Sequence, residues 1–85
     1  MSKEINRIRW KCRRGMREID LLLREFANKE LDNLEPDHIL TFEEILNYDD
    51  QKLYDFIFKN QTLNNSHHEL FINKYLKTFT KLGNF

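Results

Sequence analysis

Only three residues in this 85-residue chain strongly resist helix, Gly15, Pro36 and Gly83, and their placement limits where it can turn. Between them apolar residues recur at intervals of three and four, and no stretch sustains the period-two alternation of a half-buried strand. Charged residues make up 33% of the chain, so the interior must be filled by a minority, among them seven Phe, three Tyr and one Trp. A chain this short has interior for one modest core. The expectation is an all-α protein, a single small domain over residues 1–85 with about five helices packed as a compact bundle.

The periodicity predicts where those helices lie. A first helix over residues 3–13 places Ile5, Ile8 and Cys12 on one face, and Arg7, Trp10 and Arg14 at the same spacing about half a turn away. A second over 16–29 has an inward stripe of Met16, Ile19, Leu23 and Phe26, widened by Leu22 and Ala27, with Asp20 and Arg24 as an i, i+4 pair. Residues 31–35 read as a connection. Pro36 suits the first position of a third helix over 36–48, which packs through Ile39, Phe42, Ile45 and Leu46. Asp49 and Asp50 end that helix and offer an N-cap to a fourth over 51–59, built on Leu53, Phe56 and Ile57. After a polar loop over 60–65, Ser66-x-x-Glu69 is a capping-box pattern for a fifth helix with Phe71, Tyr75, Phe79 and Leu82 on one face. Gly83 is its expected stop.

Gly15 stands out from this pattern. A glycine within a helical stretch costs about 1 kcal/mol relative to alanine, and here it is surrounded by Arg13, Arg14, Arg17 and Glu18. A local stability cost that coincides with dense charge marks a site; the plainer alternative is a corner in a solvated basic stripe. Without a Cβ at position 15 another protein's backbone can approach closely, while Arg14 and Glu18 supply charge-assisted contacts from either side. Trp10 lies away from the Ile5, Ile8 and Cys12 face, so partial exposure beside Arg7 and Arg14 is expected, and Trp with Arg is a typical hot-spot pairing of protein interfaces.

Fourteen basic and fourteen acidic residues cancel, which argues against a chain built to coat nucleic acid or an anionic membrane. The balance is uneven along the sequence, however. Residues 1–24 hold eight basic and three acidic side chains, and the remainder carries the opposite excess. That polarity predicts either a docking protein with one basic face or two halves that attract each other when folded.

Lone Cys12 offers no intramolecular disulfide, and its place on the apolar face predicts a buried, inert thiol. No run approaches eighteen apolar residues, and Met1-Ser2-Lys3-Glu4 resembles no leader, so membrane insertion is not expected and the cytoplasm is. Adjacent His67 and His68 diverge on a helix and lack the partner spacing of a zinc site, while Asp49 and Asp50 read as a cap; no metal site is expected. No nucleophile and base are paired, and no phosphate-cradling or dinucleotide motif is present, so neither catalytic residues nor a stably bound cofactor is predicted.

The segment Trp10-x-Cys12-Arg13-Arg14-Gly15-Met16-Arg17-Glu18-x-Asp20, with Arg14-Gly15-x-x-Glu18 at its centre, resembles the small FAD assembly factors of succinate dehydrogenase. Leu46-x-x-Asp49-Asp50-x-x-Leu53-Tyr54-x-Phe56 is similar to a second landmark of that family, departing from it at Gln51, where a proline is common. The resemblance covers nearly the whole chain. It implies an assembly chaperone that binds the flavoprotein subunit of succinate dehydrogenase, with that of fumarate reductase as a second candidate client, and promotes covalent attachment of FAD. Arg14, Gly15 and Glu18 would form the contact centre, with Trp10, Arg7, Arg17 and Asp20 around it. The FAD would belong to the client, and the helper would be a monomer of the bacterial cytoplasm. Members of the family described as antitoxins make a protein-binding partner of that type the alternative. A small helical nucleic-acid-binding domain, resting on the basic N-terminal segment alone, is the remaining one.

Overall fold

A computed structural model describes residues 2–80, all of whose regular elements are helical. Helix α1 (Ser2–Lys11) leads through residues 12–16 into α2 (Arg17–Glu30), and a 3₁₀ turn (Leu31–Asn33) precedes α3 (Pro36–Ile45). Helix α4 (Asp50–Lys59) follows. The last rod is continuous: α5 (Ser66–Phe71), a π-helical stretch (Ile72–Leu76) and α6 (Lys77–Thr80). The expected all-α bundle is what forms; Leu82 and Gly83 lie outside the described residues.

Apolar periodicity explains the core. Ile8 and Cys12 of the first segment, Ile19, Leu22, Leu23, Phe26 and Ala27 of α2, and Leu53, Phe56 and Ile57 of α4 are all buried. Phe26 lies at the centre of an aromatic cluster, its ring 5.0 Å from Phe42, 5.7 Å from Phe79, 6.1 Å from Phe71 and 6.4 Å from Tyr75 between centroids. Tilted and edge-on geometries of this kind suit the aromatic quadrupole. Helix α2 packs against α4, the π-helical stretch and α6, while α3 packs against α5.

Several boundaries differ from expectation for identifiable reasons. Helix α1 stops at Lys11 because its last turn tightens: the Cys12 and Arg13 amides donate to the carbonyls of Arg9 and Trp10 at 3.2 and 3.1 Å. Helix α3 ends at Ile45 rather than residue 48, and Asn47 and Tyr48 again donate three residues back. Leu31 is fully buried although it lies in the connection. In α4, Asp49 is the N-cap, its carboxylate accepting from the Lys52 amide at 2.8 Å, and Asn60 closes the helix in the left-handed conformation at φ 60°.

The start of α5 is a correction. Asn65, not Ser66, is the N-cap, accepting from the His68 amide at 3.0 Å. Glu69 reaches back past the cap to accept from the Leu63 amide at 2.8 Å and the Thr62 hydroxyl at 2.7 Å. These bonds hold its carboxyl below the usual range, the Thr62 hydroxyl being the larger cause. The π-helical stretch is the other surprise. Within it Ile72 and Leu76 are fully buried, with Tyr75 and Phe79 packed beside them.

Candidate functional site

The segment from Trp10 to Asp20 leaves α1, turns at Gly15 and enters α2, and polar contacts hold it from both sides. The Arg14 amide donates to Asp20 Oδ1 at 2.8 Å, and the Met16 amide donates to Asp50 Oδ2 at 3.2 Å. Gly15 lies exposed between these two tethers. Its φ is not positive, and a Cβ built on it would meet only Asp50 Oδ2, at 3.8 Å, an ordinary contact. The fold therefore does not require a glycine here, neither for its backbone conformation nor for space.

Arg14 is placed differently from expectation. Its side chain is only 11% exposed and turned inward. Nε is 2.6 Å from Asp50 Oδ1, Nη1 donates to the carbonyls of Leu46 at 2.8 Å and Lys11 at 3.4 Å, and Nη2 donates to the carbonyl of Tyr48. The guanidinium thus takes up two carbonyls left free just past the end of α3 and one at the end of α1.

The other six predicted residues divide into two groups. Asp20 faces its own chain, accepting from Arg14 through Oδ1 and from Arg24 through Oδ2 at 3.2 Å, the i, i+4 pair anticipated above. Arg7 is exposed and bridges to Glu43 at 2.8 Å. Gly15, Glu18, Arg17 and Trp10 remain accessible. Glu18 is half-buried in the first turn of α2, where its charge complements the helix dipole, and neither its side chain nor that of exposed Arg17 has a hydrogen bond or ion pair among the described residues.

Trp10 is 69% exposed, as its position off the apolar face implies. Its cationic neighbour is Arg13, whose guanidinium carbon lies 5.5 Å from the ring centre, rather than Arg7 or Arg14. The three-residue separation of Trp10 and Arg13 was the signal for that pairing, although Arg13 lies just past the end of α1. Beside them an open groove of about 390 Å³ runs between α1 and α2, lined among others by Asn6, Arg9, Trp10, Arg13 and Arg24.

The uneven charge along the chain resolves into attraction between its halves. Arg7 and Lys11 share Glu43, Arg9 reaches Asp32 at 3.1 Å, and Arg14 holds Asp50, so four of the N-terminal cations meet acids from beyond residue 30. A continuous basic face is not what results. Cys12 is buried, and desolvation pushes its thiol up to about 12 in spite of Arg14 and Arg9 nearby, which leaves no thiolate at neutral pH.

His67 and His68 fasten α5 to α3. His67 Nε2 is 3.0 Å from the Thr41 hydroxyl, while His68 lies between the Tyr48 hydroxyl at 2.7 Å and Glu44 at 2.9 Å. Burial, with Glu69 and Glu44 behind it, raises the Tyr48 hydroxyl above its ordinary value. No group of three or more metal-ligating side chains occurs among the described residues.

The chain matches known proteins over most of its length. Residues 6–80 match the family model described as flavinator of succinate dehydrogenase. A protein of Legionella pneumophila (strain Paris) named FAD assembly factor SdhE is 43% identical over 53 residues, which cover 62% of this chain and 67% of that protein. A protein of the same name from Coxiella burnetii is 37% identical over 68 residues, covering 80% of this chain and 83% of the relative. No solved structure is a significant match.

Proposed function

The chain belongs to the flavinator of succinate dehydrogenase family, and from that membership we propose that it is an FAD assembly factor, which binds the flavoprotein subunit of succinate dehydrogenase and promotes covalent attachment of FAD to it. The observation that carries this reading to particular residues is the state of Gly15. It is exposed, its backbone conformation suits any residue, and a Cβ would fit. A glycine that the fold does not need, in the middle of Arg14-Gly15-x-x-Glu18, is explained by what must approach it from outside.

The docking surface in this reading is Gly15 with Glu18, Arg17 and Trp10, and Arg7 at its edge. Glu18 and Arg17 bring unpaired charges of opposite sign next to a spot with no side chain, so a client backbone can come close and find charge-assisted partners on either side. Trp10 adds apolar area with little rotamer freedom to lose, and Arg13 lying against its ring keeps it oriented.

The flavin belongs to the client and supplies its own electron-sink chemistry there. The factor itself acts as a binding protein, not an enzyme. It binds the conformer of the flavoprotein that is competent for attachment more tightly than the incompetent one, and only that difference in affinity speeds the reaction. It works as a single-domain monomer in the cytoplasm, and the flavoprotein of fumarate reductase is a second client. Nucleic acid is not a partner in this reading, because Arg7, Arg9, Lys11 and Arg14 are already matched with acids of the same chain.

The test mixes the protein with apo flavoprotein subunit and FAD and follows flavin fluorescence retained on the denatured subunit. Native protein is expected to accelerate attachment, and both Gly15→Arg and Glu18→Ala are expected to abolish the acceleration while melting within a few degrees of native. Absence of any acceleration by the native protein with a competent client would overturn the reading and leave the antitoxin-type partner as the next to try.

A further inference from the structure

Arg14 is the one member of the Arg-Gly-x-x-Glu motif whose charged group is already spent. A guanidinium has five N–H donors. The Nε hydrogen goes to Asp50, Nη1 serves the Leu46 and Lys11 carbonyls, and Nη2 serves Tyr48, so at most one donor is left over. With the side chain 11% exposed, a two-pronged contact with another protein would require Arg14 to abandon Asp50 and strand the carbonyls behind it.

Asp50 is engaged as fully on the other side. One carboxylate oxygen holds the Arg14 guanidinium and the other accepts the Met16 amide, so a single side chain grips both residues that flank Gly15 in sequence. Asp20 completes the arrangement by accepting the Arg14 amide. Three separate parts of the chain, the α1–α2 turn, the end of α3 and the start of α4, are thus joined through one ion pair that spans 36 residues.

We propose that Arg14 and Asp50 are positioning residues of the docking surface: Arg14 acts on the client through the shape it imposes on residues 12–16, not by touching the client, and Asp50 belongs to the site although it lies in α4. This rests on the assembly-factor reading above. The pair keeps Gly15 and the start of α2 in one arrangement, so binding the flavoprotein requires no ordering of the turn. It also gives the second sequence landmark its role, since Asp49 caps α4 and Asp50 is delivered to the turn by that cap.

A double-mutant cycle in the attachment assay tests the proposal. Arg14→Ala and Asp50→Ala are each expected to raise the factor concentration needed for half-maximal acceleration by about tenfold or more, leaving the maximal rate nearly unchanged, and the double variant is expected to be no worse than the weaker single one. Asp50→Asn, which keeps the shape but has a single acceptor oxygen for the two donors that Asp50 serves with Oδ1 and Oδ2, is expected to recover only part of the loss. If Arg14→Ala costs as much in the Asp50→Ala background as in the native chain, Arg14 touches the client and the proposal fails. Full activity of Asp50→Ala would overturn it equally.

Amide hydrogen exchange on the free protein gives a readout that needs no client. Asp50→Ala should lose protection at Met16 and Arg14 while the amides of α2 beyond its first turn keep theirs. Unchanged protection at both amides would overturn the proposal, whereas a native protein that fails to accelerate attachment would overturn the assembly reading and leave this exchange result standing.

Discussion

The turn around Gly15 and the aromatic cluster around Phe26 are both held in place, but by opposite means. Around Phe26 four rings meet at 5.0 to 6.4 Å with no polar group needed to fix them. Around Gly15 only Cys12 and Met16, at the two ends of the turn, pack against the core, and the shape between them comes from directional bonds to Asp20 and Asp50 and from the buried guanidinium of Arg14. Apolar packing gives stability in proportion to area, whereas a hydrogen-bonded turn gives definition without much stability. The molecule thus keeps its energy in one place and its precision in another, which leaves the surface at Gly15 free to be selected for binding.

Three further experiments break or sharpen that contrast. Phe26→Ala empties the centre of the cluster and should lower stability by about 3–5 kcal/mol, read as a fall in the urea midpoint; a loss below about 1 kcal/mol would mean that the rings are not the main source of stability. Cys12 supplies a pH-dependent probe of the same interior, at the end of α1 where the core meets the turn. Its thiol titrates near 12 folded against 9.0 unfolded, so it contributes fully below pH 9 and the contribution is lost as pH rises toward 12. At pH 10 the deficit should be on the order of 1 kcal/mol, and Cys12→Ala should remove that slope even though it lowers stability at neutral pH. The smallest effect is expected at the turn itself. Gly15→Ala should change stability by less than about 0.5 kcal/mol, because the added methyl makes only an ordinary contact with Asp50; a larger loss in thermal unfolding would show that the glycine is there for the fold.

Much of the bundle could be read from spacing alone, because burial follows periodicity wherever a helix stays regular. Ile8 and Cys12, the α2 stripe and Leu53, Phe56 and Ile57 are buried as their three- and four-residue intervals imply. Ile72 and Leu76 are buried as well, on the edge of the same face as Phe71, Tyr75 and Phe79, although the backbone there is π-helical. Asn65 and Ser66 are both good caps, and only the folded chain decides which side chain reaches His68. The motif itself was legible, and so was the exposure of Trp10. What could not be read was that Arg14 turns inward, since its partners lie 32 to 36 residues away and no local pattern announces them.

Trp10 is the chain's sole tryptophan, and it stands largely in water instead of in the core. Its emission should already be red-shifted in the native protein and hardly move when the bundle melts, so the intrinsic fluorescence is silent about unfolding. A blue shift or quenching on mixing with a client therefore reports surface coverage alone. The indole is a built-in optical label, placed beside the proposed contact point and uncoupled from the stability of the protein that carries it.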